Sequence, residues 1–89
     1  MASPDDAALA ARALAHPLRA RALELLAESP ASPHELAGAL RVPLTTVSYH
    51  VRTLSRLGFI ELVAVVPRRG ALEHRYIARA RLRITIEQL

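Results

Sequence analysis

Between Val42 and Ile60 the chain carries hydroxyls, a phenol and two guanidinium groups, but no acid. Thr45, Ser48, Tyr49, Arg52 and Arg56 fall at the spacing that puts side chains on one helical face, with Thr46 beside them. Such groups suit hydrogen bonding to an anion or to the edge of a base. Thr45 and Ser48 can bond phosphates or base edges, and Tyr49 can pack on a thymine methyl or reach a phosphate. Arg52 has the fork that matches guanine, and Arg56, one turn on, would meet a sugar–phosphate backbone. Polar helix residues usually do no more than face water. An ordinary soluble helix mixes the signs of its charges, however, and this stretch does not, which favours a polyanionic groove.

Catalysis and metal binding find no comparable support. Ser48, Tyr49 and His50 are adjacent in sequence, so on a helix their side chains diverge by about 100° per step and cannot converge on one atom. At 89 residues the chain also has little room for the walls of an active-site cleft. The absence of Cys removes disulfides, thiolate metal sites and Cys nucleophiles together. His16, His34, His50 and His74 share no ligand spacing, and His34-Glu35 lacks the second His of a zinc-protease motif. The chain is therefore expected to be no enzyme and to use no metal or cofactor. His50, between Val47 and Leu54, reads as a half-buried, satisfied structural residue; His16, before Pro17, as a helix cap; His74, sharing a strand face with Leu72 and Tyr76, as packed.

The charge distribution points the same way. Residues 1–40 hold three Arg against five acids, a net of −2, whereas residues 41–89 hold nine Arg against three acids, a net of +6. There is no Lys. Compositional bias explains Arg in place of Lys but not the clustering of Arg in one half. Arg is also the better residue for phosphate and guanine edges.

These side chains need a scaffold, and the sequence supplies one. Ser3-Pro4-Asp5-Asp6 has the features of a helix start, and Ala-rich sequence runs from it to Ala15. His16-Pro17 breaks that helix and opens another, with Leu18, Ala22, Leu25 and Leu26 at helical spacing as far as Glu28. Ser32-Pro33-His34-Glu35 is a capping box that opens a short helix ending near Leu40. After Arg41-Val42-Pro43 a third apolar period, Val47, Val51, Leu54 and Leu57, predicts a helix over 44–57 closed by Gly58. Phe59 to Val66 and Leu72 to Ile77 read as two strands joined by Pro67-Arg68-Arg69-Gly70, a β-hairpin with a basic tip. Arg68 and Arg69 there would meet the minor groove or phosphates, and Arg75, opposite Tyr76 in facing, would add a backbone contact.

Two helices joined by a tight turn and followed by a basic-tipped hairpin make a winged helix-turn-helix, mainly α with a small β-hairpin. The run Leu14-Ala15-His16-Pro17-Leu18-Arg19, the stretch Ser32–Leu40, the run Thr46-Val47-Ser48-Tyr49-His50-Val51-Arg52 and the return Gly70-Ala71-Leu72-Glu73-His74-Arg75-Tyr76 together resemble the ArsR-like winged-helix regulators over residues 9–78. That resemblance implies a homodimeric, DNA-binding transcription regulator, usually a repressor. Its metal-sensing half does not carry over, because this chain lacks Cys. The family also commonly ends in a long dimerisation helix, and here only about a dozen residues follow the wing. Either the dimer rests on the first helix, or the chain is a domain of a longer protein, or the dimer is weak.

The resulting expectation is one domain over residues 1–89: a dimerisation helix at 1–16, a helix-turn-helix at 32–58, a wing at 59–78 and a tail at 79–89. Helix 44–57 would enter the major groove of double-stranded DNA, and residues 66–71 would lie on the minor groove or backbone. A homodimer would form through the first helix, aided by Leu82, Ile84 and Ile86. No run is long and apolar enough for a transmembrane helix and the first residues lack a signal core, so the chain reads as soluble and cytoplasmic. The competing expectation is a winged-helix module that docks on another protein, which would call for an exposed apolar patch.

Overall fold

The computed structural model describes residues 4–79. Four helices come first: α1 (Pro4–Leu14), α2 (Pro17–Glu28), α3 (Pro33–Leu40) and α4 (Leu44–Arg56). An antiparallel hairpin of β1 (Ile60–Arg68) and β2 (Ala71–Ala78) follows. Leu82, Ile84 and Ile86 lie outside the described residues.

Each helix boundary has a local cause. His16 caps α2, its Nδ1 accepting from the backbone N–H of Leu18 at 3.3 Å, and Pro17 follows at the first turn. The capping box on α3 is complete: the Glu35 N–H donates to Ser32 Oγ and the Ser32 N–H to Glu35 Oε1, both at 3.1 Å. Arg41 ends α3 in the left-handed region, with φ 58°. Beyond α4, Gly58 turns the chain into β1 with φ 84°, a conformation that favours glycine.

The core lies where these elements meet. Leu26, Leu36, Val47, Leu54, Phe59 and Ile60 are fully buried, and Ala10 and Ala13 bring α1 onto the same cluster. Val51 joins it, and Leu57 packs against it half-buried, as the apolar period of α4 anticipates. Leu23 is buried too, although it lies off the apolar period of α2 read from the sequence.

The hairpin is longer than its sequence suggests. Arg68 pairs with Ala71, so the turn shrinks to Arg69-Gly70, with φ 47° and 82°. Positive φ at both central residues is the backbone of a two-residue turn whose twist matches the strands. The register shifts between Leu62 and Ala64, a bulge at Val63. On the other edge of β2, Ala31 forms a bridge with Tyr76, each backbone N–H donating to the other's carbonyl at 3.0 and 2.9 Å. That bridge anchors the hairpin beside the start of α3.

Candidate nucleic-acid interface

Helix α4 buries Val47, His50, Val51, Thr53 and Leu54 and turns its other face outward. Thr45, Tyr49, Arg52 and Arg56 are exposed on that face, Tyr49 by 57%, and Thr46 and Ser48 are half-buried at its margin. The helix has no acid in its first turn, and its N-cap, Pro43, makes no side-chain hydrogen bond. The first backbone N–H groups therefore keep their positive end free for an anion. Among the described residues Arg52 and Arg56 form no ion pair.

The hairpin flanks this face. An open groove of about 640 Å³ separates α4 from the wing. Ser48 and Arg52 line one wall, Arg68 and Leu72 the other, with Ser32 and Tyr76 in its lining between them. Leu44 and Leu72 border the groove while 45% and 64% exposed, so apolar surface is offered there alongside the cations. Arg69 sits exposed at the tip. Arg68 is also exposed, and its Nε lies 3.0 Å from Glu73 Oε2.

Arg75 stands apart from the other arginines of the set. Its Nη1 is 2.8 Å from Glu35 Oε1 and 3.8 Å from Glu73 Oε1, and its Nη2 donates to the Pro30 carbonyl at 3.1 Å. The Glu35 carboxyl is held below its ordinary 4.5 first by the Ser32 backbone N–H and further by the charge of Arg75, against the opposing effect of partial burial.

Two histidines differ from their sequence reading. His50 is buried rather than half-buried, and its Nδ1 has no hydrogen-bond partner among the described residues. Its ring lies 4.3 Å from that of His16, centroid to centroid, and burial, His16 and Arg19 together push its pKa below 6.5. His74 is exposed rather than packed, because its strand face lines the open groove beside α4 instead of closing on the helices.

Sequence reasoning passed over two residues. Arg41 is exposed in the turn between α3 and α4, in a conformation that favours Gly or Asn. A cation at the end of an eight-residue helix was the available signal. In the sequence Glu35 shows only as half of a capping box, since nothing local announces a partner 40 positions away.

The chain has no Cys, and no three of His, Asp or Glu come together among the described residues. The assembly of a helix pair, an acid-free outward face and a flanking hairpin is that of a winged helix-turn-helix. Residues 14–63 match the model of a helix-turn-helix domain family, and the chain belongs to that family. No curated protein matches the chain. Among solved structures it is similar to HlyU from Vibrio cholerae, with a TM-score of 0.75, 21% identity and coverage of 94% of this chain and 87% of the other. It is likewise similar to a possible transcriptional regulatory protein of Mycobacterium bovis, with a TM-score of 0.73, 27% identity and coverage of 94% and 86%. The solution structure of the same Mycobacterium bovis fragment, a homodimeric winged helix-turn-helix DNA-binding domain and possible ArsR-family regulator, gives a TM-score of 0.71, 24% identity and coverage of 94% and 75%. The fold is thus the winged helix-turn-helix that an ArsR-family transcriptional regulator and a possible one also have.

Proposed function

We propose that this helix-turn-helix protein is a sequence-specific regulator of transcription that binds double-stranded DNA as a homodimer and acts in the cytoplasm as a repressor. The observation that carries the reading is the outward face of α4, acid-free and with two arginines that form no ion pair among the described residues. In this reading Thr45, Thr46, Ser48, Tyr49 and Arg52 meet base edges and phosphates in the major groove, and Arg56 meets the backbone. Arg68 and Arg69 lie on the minor groove or backbone, Arg41 is an added phosphate contact, and Arg75 supports the wing from behind. The homodimeric Mycobacterium bovis domain supports a two-fold assembly; in this reading α1 is the element that pairs. One domain over residues 1–89 accounts for these roles.

The docking-module reading keeps one observation in its favour. Leu62, Val63 and Val65 on β1 are exposed large apolar residues. Selection of bound duplex from a random pool separates the two. A two-fold symmetric consensus supports the regulator; failure to enrich any sequence at low salt overturns it and leaves the docking module.

A further inference from the structure

The wing reaches far from its root. From the pair Ile60–Ala78 to the pair Arg68–Ala71, β1 spans nine residues. At about 3.3 Å per residue that is a lever of nearly 30 Å, so a 10° swing at the root moves the tip by about 5 Å. A displacement of that size would carry Arg68 and Arg69 off any phosphate they are meant to reach. At the root the chain passes from α4 into the hairpin through Leu57, Gly58 and Phe59, and Ile60 is buried in the same core cluster as Leu54, but no hydrogen bond or ion pair crosses the groove among the described residues.

What holds the lever lies on its other side. Ala31 bridges Tyr76, Pro30 accepts from Arg75, and Glu35 pairs with Arg75, so residues 30–35 grip β2 at three neighbouring points. Of the three ion pairs among the described residues, Glu35–Arg75 is the one that joins hairpin to helices; the other two lie within the hairpin. The Arg75 side chain is 24% exposed, against 63% for Arg68. Charges alternate along the contact, from Glu35 through Arg75 and Glu73 to Arg68, linking the cap of α3 to the wing tip. Glu35 Oε1 serves both the Ser32 N–H and Arg75, so one oxygen fixes the start of α3 and the middle of β2 together.

We propose that Arg75, held by Glu35 and the Pro30 carbonyl, is a latch that sets the angle of the wing against the helix-turn-helix, so that α4 and the wing tip meet one duplex at a fixed separation. The proposal rests on the DNA-binding reading and assigns Arg75 as a positioning residue.

Glu35→Gln tests it, because two explanations of Arg75 give opposite signs. Gln still accepts from the Ser32 N–H, so the cap of α3 survives while the ion pair is lost. If Arg75 were a phosphate contact restrained by Glu35, removing the acid would tighten DNA binding. As a latch, its release weakens binding by about tenfold, the scale of losing the wing contacts. Hydroxyl-radical footprints on the selected site should then lose protection under the wing and keep it under α4. Tighter or unchanged binding overturns the latch. Residual dipolar couplings of the free protein give a second measure that needs no DNA. In Glu35→Gln, and in Arg75→Met should the first variant fold poorly, couplings of residues 63–74 should shrink relative to those of the helices. Equal couplings in parent and variant overturn the latch even if DNA is bound. A parent protein that binds no duplex overturns the DNA reading instead, and the couplings still decide the latch.

Discussion

Arg52 and the pair Arg68 and Arg69 carry the same charge, but the proposed DNA complex gives them different work. Arg52 projects from the middle of the outward face of α4, where a bidentate contact to guanine is geometrically open. Arg52→Ala is expected to cost about 1–3 kcal/mol on the preferred site and to relax specificity at one base pair. Arg68→Ala combined with Arg69→Ala should weaken binding to every sequence and flatten the salt dependence, as expected for phosphate contacts. Titrations on a panel of single-base variants check both, and a uniform loss for Arg52→Ala would move that residue to the backbone class. Behind the same helix, His50 supplies a prediction of another kind. Its buried ring has a pKa below 6.5, so the unfolded chain binds the proton more readily than the folded one. The stability linked to this group is complete above pH 6.5 and is lost as the pH falls through 6.5 towards the folded value. Thermal melts between pH 7 and 5.5 should therefore decline, and His50→Phe should flatten that decline. Equal slopes in parent and variant would remove His50 as the source. Glu35, with its lowered pKa, contributes in a separate window, below 4.5.

At the scale of elements, α3 depends most visibly on its first residue. Ser32 is fully buried and its Oγ accepts from the Glu35 N–H. Ser32→Ala leaves that donor unpartnered and should destabilise the fold by about 0.5–2 kcal/mol, measured by urea denaturation. A loss below that range would mean that the Glu35 side chain alone holds the cap. Local signals of this sort were fully legible in the sequence. The capping box, the Pro17 start, the Gly58 exit and the apolar period of α4 each depend on residues within a turn of one another, and each stands where the spacing puts it. What was not legible depends on distant partners. The strands extend to Arg68 and Ala71 because ladder pairing carries on past Pro67, whose residue type reads as a turn. The exposure of His74 follows from the open groove between the wing and α4, which no alternation within β2 reports. The burial of His50 reflects contact with His16, 34 positions earlier. The outward residues of α4 could be named from spacing alone, whereas the role of Arg75 depended on its contacts with Pro30 and Glu35.

For the molecule as a whole, the prediction of largest consequence is assembly. Residues 41–89 carry a net charge of +6, so a dimer making about 6–10 phosphate contacts should lose about 10³–10⁵ in affinity between 50 and 200 mM salt. The size of that slope depends on two copies binding together, and α1 is the element proposed to join them. One side of α1 is committed to its own fold, since Ala10 and Ala13 are fully buried in the core. Ala8 and Ala11 lie at helical spacing on another side and are exposed, as is Ala15 just past the helix end. Small residues let two helices approach closely, and a two-fold axis would pack this side on its own copy. A charge there should spare the monomer, because the position is already in water, and damage only the pairing. Ala11→Glu is therefore expected to leave the melting of the separated monomer unchanged and to shift sedimentation towards monomer. It should also weaken binding to a full two-fold site more than to a half-site. If the parent protein sediments as a monomer at tens of micromolar, with and without DNA, the dimer through α1 is wrong. The half-site affinities of parent and Ala11→Glu should then coincide, and the salt slope should fall to about half, as one copy binding alone requires.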